Sequence, residues 1–205
     1  MDGASIGRRS LLAAAGLWLA RPLRGRAAAA AKPRVTIQTP HGAIVVELEI
    51  VKAPITAGNF LRYVDAMKYD GGTIYRASRT PGVPGAGSIQ GAKSQKARPF
   101  RPIAHESTRV TGLRHKAGTI SMGRTTPGSA TSDFFICASA QPYLDAHPGQ
   151  PGDNEGFAAF GTVVSGMPVV KKILALKTDG KTNVPEMKGQ MLNPPVPIIS
   201  MKRTA

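Results

Sequence analysis

Residues 118–137 read GTISMGRTTPGSATSDFFIC, and this stretch decides the fold. Two short β-prone runs, 118–122 and 134–137, flank a polar segment rich in Gly, Pro, Ser and Thr, the composition of a loop rather than of a helix. Successive side chains of a strand point to opposite faces, so Phe134 and Phe135 must serve different environments. One of the two is expected in the core and the other on the opposite face, and Met122 is expected as barrel filling. Cys137, which ends the second run, is the only cysteine in 205 residues. That excludes an intramolecular disulfide framework and a multi-cysteine zinc site, and an unpaired thiol in an apolar strand acts as a small buried side chain.

The same alternation extends outward. Residues 34–39 (RVTIQT) and 43–50 (AIVVELEI) are broken by Pro40, His41 and Gly42, which predicts a β-hairpin with His41 as a solvated turn residue. Residues 53–68 (APITAGNFLRYVDAMK) predict a helix, with Pro54 in the first turn and Ile55, Phe60, Leu61 and Val64 on one apolar face. Further β-prone runs occur at 73–76, 88–91, 160–164 and 196–202, and a second helix is expected at 166–176, with Val169, Val170, Ile173 and Leu174 facing inward. The stretches 81–87 (PGVPGAG) and 148–156 (PGQPGDNEG) read as loops within one fold, not as domain linkers. Many short strands with few helices, 23 Gly and 17 Pro imply a single sandwich or barrel around one core.

The N-terminus reads differently. Arg8 and Arg9 precede an apolar stretch at 11–20 and an alanine-rich end at 27–31, the three regions of an export signal. The paired arginines resemble a twin-arginine signal, so residues 1–31 are expected to be removed by cleavage near Ala31, leaving a periplasmic domain at 32–205. The apolar stretch is about half the roughly 20 residues that span a bilayer, and the remainder of the chain offers no membrane span. The net charge of +15 falls to +11 when the five arginines and one aspartate of residues 1–31 are removed. Without a basic stripe on one helix or an aromatic RNA-binding motif, this charge reads as a solvated basic surface, and no nucleic-acid partner is expected.

Five blocks in order, IYRAS at 74–78, SIQG at 88–91, the opening stretch at 118–137, YLD at 143–145 and FAAFGTVVSGM at 157–167, resemble the cyclophilin family of peptidyl-prolyl cis-trans isomerases, in its bacterial exported branch. The resemblance runs from about residue 34 to 202. It implies an all-β fold, a closed eight-stranded, mostly antiparallel barrel capped by two α-helices. It also implies cis/trans isomerisation of X-Pro bonds with no metal, cofactor or covalent intermediate. The substrates it implies are proline-containing polypeptides, here exported ones, met by a monomer.

Such a site must weaken the amide conjugation behind a barrier of about 18–20 kcal/mol. A fixed cation that donates to the prolyl nitrogen acts mainly in the twisted transition state, when the lone pair is freed. Arg76 matches the family's catalytic arginine, and a guanidinium suits the task because it stays charged and holds its donors in a plane. By the same resemblance Phe135 packs on the proline ring, and Gln90 orients the arginine and contacts the peptide. Gly123 and Arg124 form the edge for the substrate backbone, Tyr143 and Leu144 wall the pocket, and Phe157 stands where a histidine or tyrosine is common. Asp133 replaces the usual glutamine, which predicts a carboxylate near the substrate backbone and near Arg76. The loop between Arg76 and Gln90 lacks the family's phenylalanine and methionine; only Ala86, Gly87 and Ser88 align there. Weak binding of cyclosporin-like ligands follows, as does the alternative of a catalytically weak or inactive peptide-binding or chaperone module. His41, His105, His115 and His147 have no metal-ligand spacing. His105, Glu106 and residues 111–115 resemble a supporting segment of bacterial cyclophilins.

Overall fold

The computed structural model describes residues 1–3 and 31–204, and the expected leader falls almost wholly outside them. Residues 31–205 form one compact unit. It opens with the predicted hairpin, β1 (Arg34–Thr39) and β2 (Gly42–Leu48), in which Thr39 pairs with Gly42. Thr39 stitches the turn: its hydroxyl donates to the Gly42 carbonyl at 2.8 Å and accepts from the His41 N–H at 3.1 Å. Inward positions Val35, Ile37, Ile44, Val46 and Leu48 are fully buried, as alternation requires.

Helix α1 (Pro54–Asp65) follows, four residues shorter than its sequence pattern and with a partly different face. Phe60, Leu61, Tyr63 and Val64 are buried, but Ile55 is exposed, because the first turn is held from another direction. The Glu106 carboxylate accepts from the Ile55 and Thr56 N–H groups at 3.0 and 2.6 Å. A buried anion at a helix N-terminus satisfies donors that no intrahelical carbonyl reaches. Glu106 therefore supports the barrel, and Ser107 begins a single helical turn, α2 (Thr108–Thr111).

Strands β3 (Thr73–Arg79), β4 (Gly87–Ala92), β5 (Thr119–Met122), β6 (Phe134–Cys137), β7 (Ala158–Ser165), β8 (Met191–Pro197) and β9 (Ser200–Thr204) complete the sheet. Its order is β8-β3-β4-β6-β5-β7-β2-β1-β9, and every pairing is antiparallel. Among the described residues the barrel thus has nine strands rather than eight, is hydrogen-bonded as an open sheet, and carries three helices rather than two. The difference has a simple cause. The last β-prone run is two strands, because the chain passes at Ile198 and Ile199 from one edge of the sheet to the other. Ile198 N–H donates to Gly72 and Ile199 N–H to Gln38, each at 2.8 Å. Consecutive strands that face opposite edges cannot form a ladder with one another, so the chain itself bridges the gap.

Inside, Phe60 meets Tyr69, Phe134 and Phe160 with ring centroids 5.2–5.8 Å apart. Phe134 and Met122 are fully buried, as expected of core residues. Helix α3 (Met167–Leu174) buries Val170, Ile173 and Leu174, while Val169 is only half-buried. Each Phe- or Leu-sized side chain removed from water in this way contributes about 1.5–3 kcal/mol. No helix among the described residues is long and apolar enough to cross a membrane.

Candidate active site

A bulge in β3 creates the site. Ile74 pairs with Gly91 and Arg76 with Gln90, so Tyr75 is an extra residue opposite no partner, and the ladder to β8 shifts at the same point. Regular alternation would place Arg76 on the same inward face as Ile74. The bulge instead leaves Ile74 and Ala77 buried, with Tyr75 and Arg76 both on the outer side. Next to it the pairings Arg76–Gln90, Gln90–Phe135 and Phe135–Ser121 line four side chains across β3, β4, β6 and β5.

Over this row lies a cleft of about 230 Å³, lined by Arg76, Gln90, Gly123, Arg124, Phe135, Tyr143, Leu144 and Phe157, with Ser78, Ser88, Gln141 and Met187. Eight of the nine residues singled out in the sequence therefore meet in one groove. Asp133 does not line it. Its carboxylate accepts from the Tyr75 hydroxyl at 2.6 Å and forms no ion pair with Arg76, so the arginine is not neutralised by it. The bulge turns Tyr75 to the outer side together with Arg76, and it is the Tyr75 hydroxyl that Asp133 bonds. Burial and the neighbouring Asp133 charge push the Tyr75 phenol far above its ordinary value, so it acts as a donor.

Arg76 is half-buried and held by two amides. Its Nε and Nη2 donate to Gln190 Oε1 at 2.8 and 2.6 Å, and Nη1 donates to Gln90 Oε1 at 3.0 Å. Three of the five guanidinium N–H groups are thus used internally, leaving one on each Nη. Burial draws its pKa below the ordinary arginine value, with Tyr75 and Tyr143 opposing the shift. No carboxylate pairs with it among the described residues, so its charge is held but not neutralised.

Phe135 is 7 % exposed and forms the apolar floor. Phe157 meets it edge-on at 5.4 Å, and the His115 ring lies beneath it, nearly parallel at 5.8 Å. His115 is itself buried: Nδ1 is 2.7 Å from Asp145 Oδ1 and Nε2 is 2.9 Å from Ser121 Oγ. A carboxylate only accepts, so the neutral imidazole carries its proton on Nδ1, and Nε2 accepts from Ser121. Burial lowers the His115 pKa while Asp145 opposes the shift. His115 is a support for the pocket floor, in keeping with the structural role expected of residues 111–115.

Arg124 serves the groove through its backbone edge, because its guanidinium is engaged elsewhere. It pairs with Asp153, donates to the Gly156 carbonyl and lies 5.2 Å over the Phe157 ring. The 148–156 loop is therefore a strut that holds Phe157 in place. Tyr143, although exposed, donates to Gln141 Oε1 at 2.7 Å. Cys137 is buried, which pushes its thiol up to about 12 and leaves it inert.

Sequence reading missed Gln190 and Met187. Both come from a segment containing a 3-10 turn at Pro185–Met187, which precedes β8. Gln190 lies 114 positions from Arg76 and carries no local motif. Gln141 was missed too; its side-chain amide bonds the Gly87 carbonyl and so holds the end of β4 against the pocket.

The arrangement suits an apolar ring bound next to a polar, twisting amide. Phe135, Phe157, Leu144 and Met187 provide apolar surface, and the two unused N–H groups of Arg76 remain for a nitrogen whose lone pair is released by rotation. No side chain in the groove is arranged as an activated nucleophile: Ser121, bonded to His115, is fully buried.

Comparison with known proteins agrees with this geometry. Residues 34–202 match the family model described as cyclophilin type peptidyl-prolyl cis-trans isomerase/CLD. The chain is 37% identical over 154 residues to peptidyl-prolyl cis-trans isomerase A of Dickeya dadantii, covering 74% of this chain and 76% of the relative. A peptidyl-prolyl cis-trans isomerase of Acinetobacter baylyi is 36% identical over 178 residues, 85% of this chain and 87% of its own. In fold, the chain resembles a cyclophilin-type isomerase of Cryptosporidium parvum crystallised in the presence of the dipeptide Ala-Pro, with a TM-score of 0.63, 20% identity, and coverage of 84% of this chain and 99% of that one. A family match over residues 34–202, an apolar cleft and an amide-held arginine at its rim lead to one conclusion: the chain belongs to the cyclophilin-type peptidyl-prolyl cis-trans isomerases and is an enzyme of that class.

Proposed function

We propose that this isomerase accelerates rotation about X-Pro bonds in exported polypeptides, with Arg76 as the catalytic cation and Phe135 as the floor of the proline pocket. The observation that carries this reading is the state of Arg76. It is half-buried at the groove rim and held by Gln90 and Gln190, with two N–H groups unused and, among the described residues, no carboxylate paired with it. Gln90 orients the arginine, the Gly123–Arg124 backbone borders the substrate chain, and Tyr143, Leu144 and Phe157 enclose the ring. Cyclosporin-like ligands bind weakly, because the loop before Gln90 offers no large side chain. The test is an NMR exchange assay on an X-Pro peptide, in which a wild-type rate no faster than that of Arg76→Ala would overturn the assignment of the site.

The exported context rests on residues 1–31, with Arg8 and Arg9 ahead of an apolar stretch and an alanine-rich end. On this reading residues 32–205 act in the periplasm as a monomer. N-terminal sequencing of the protein from a fractionated bacterial host checks it: a periplasmic form beginning near residue 32 is expected, and a cytoplasmic, full-length form would refute it.

A further inference from the structure

Next to the proline groove lies a second cavity of about 270 Å³ that includes Tyr75, Gln90, Gly123, Thr131, Asp133 and Met187 in its wall. Gln90, Gly123, Arg124 and Met187 belong to both cavities, so a peptide in the groove has a direct path into the second. Gly123 forms the saddle between them. A Cβ there would lie 3.1 Å from the Asp133 Cβ and 3.4 Å from Gln90 Nε2, so a side chain would crowd the path that glycine leaves open.

Asp133 gives this second cavity its character. Its Oδ1 accepts from the Tyr75 hydroxyl, which fixes the carboxyl plane, and its Oδ2 has no hydrogen-bond partner among the described residues. The two cations nearby are already engaged. Arg124 is bound to Asp153 and the Gly156 carbonyl, and Arg76 to two glutamine oxygens. A negative group is thus oriented at a cavity that opens from the groove, with no partner charge of its own.

We propose that Asp133 gives this cavity a preference for a basic side chain, lysine or arginine, carried by a residue close to the isomerised proline. The proposal rests on the isomerase reading of the adjoining groove and adds a preference among its substrates. A cation brought beside the open carboxylate oxygen gains both Coulomb attraction and a charge-assisted hydrogen bond.

The test uses alanine-rich peptides with a single proline, in which one lysine is moved through the flanking positions, with glutamine and glutamate series as controls. Catalysed exchange is measured by NMR for the protein and for Asp133→Asn, which retains an oxygen acceptor for Tyr75. Each rate is divided by that of the all-alanine peptide with the same variant. One position is expected to favour lysine over glutamine by about three- to fivefold, with glutamate below both. The preference should shrink as salt is raised and vanish in Asp133→Asn. No preferred position, equal rates for lysine and glutamine, or a lysine preference that survives Asp133→Asn would each overturn the proposal. The all-alanine peptide reports separately on the isomerase reading. If it is not turned over, that reading fails, and equilibrium binding of the same peptides still decides the subsite.

Discussion

Replacing Arg76 by alanine removes the guanidinium that the two glutamines hold ready to donate to a twisting amide, and the structure indicates how much that should cost. Nε, Nη1 and Nη2 each spend one N–H on Gln90 or Gln190, which leaves two for substrate. These are preorganised, because the two amide oxygens fix the guanidinium plane before substrate arrives. Removing a preorganised donor aimed at developing electron density typically costs about 2.7–4 kcal/mol of transition-state stabilisation, or about 10²–10³ in rate. We therefore expect Arg76→Ala to lower kcat/KM by about 10²–10³, mostly in kcat, because the planar ground-state amide offers its nitrogen little basicity. Arg76→Lys should fall between the two. An ammonium has three donors, of which two would be spent on the glutamines, and it lacks the planar fork. The assay is NMR exchange on a short X-Pro peptide, accompanied by thermal unfolding and peptide binding for each variant. The controls are needed because Arg76→Ala also orphans two half-buried amide oxygens. A folded Arg76→Ala protein that kept more than about a fifth of the wild-type kcat/KM would refute the reasoning.

Gln190→Ala should lower kcat about tenfold with KM nearly unchanged, because it frees two of the three internally held N–H groups of Arg76; a fall in melting temperature with no change in kcat would make Gln190 merely structural. Phe135→Ala should weaken peptide binding by about 1.5–3 kcal/mol, read as a rise in KM, because it removes the apolar floor between His115 and Phe157; an unchanged KM would place the proline ring elsewhere. His115 makes stability depend on pH, since burial depresses its folded-state pKa below the ordinary imidazole value. Above that ordinary value both states are neutral and nothing is lost. As pH falls below it the unfolded chain binds the proton and the folded chain does not, so stability declines until the lower folded-state pKa is passed. Denaturant titrations from pH 8 down should show this decline and should lose it in His115→Gln; a slope retained in the variant would assign it to another group.

Much of the fold could be read from sequence because its strands are short and strictly patterned. The inward rows of β1 and β2, Phe134 against Phe135, and the apolar face of α3 at Val170, Ile173 and Leu174 all follow from period alone. What could not be read were features that belong to pairs of segments. The burial of Ile74 and Ala77 around an outward Tyr75 and Arg76 needs a bulge, and a bulge exists only relative to a partner strand. Ile55 reads as core from its spacing, yet Glu106, distant in sequence, anchors that turn of the helix and leaves the side chain outside. The division of the last β-prone run is also relational. Met191–Pro197 finds β3 and Ser200–Thr204 finds β1, and only that competition makes two strands from one run.

The site shows the same limit in chemical form. The family blocks identify Arg76, Gln90 and Phe135, but they do not identify what replaces the large side chains absent from the loop before Gln90. That loop has become structural. Gly87, at a φ of 138°, lies so close to Ser78 that a Cβ there would fall 2.0 Å from the Ser78 carbonyl oxygen. Its own carbonyl takes hydrogen bonds from Ala138 N–H and the Gln141 amide. A residue packed against backbone on one side and bonded on the other has no room for a pocket-lining side chain. The groove instead takes Met187 and Gln190 from the segment before β8, one supplying apolar surface and the other the second hold on Arg76. Apolar surface and the second hold on Arg76 thus come from a segment distant in sequence, because a groove requires certain chemistry at certain points in space and not from one stretch of chain.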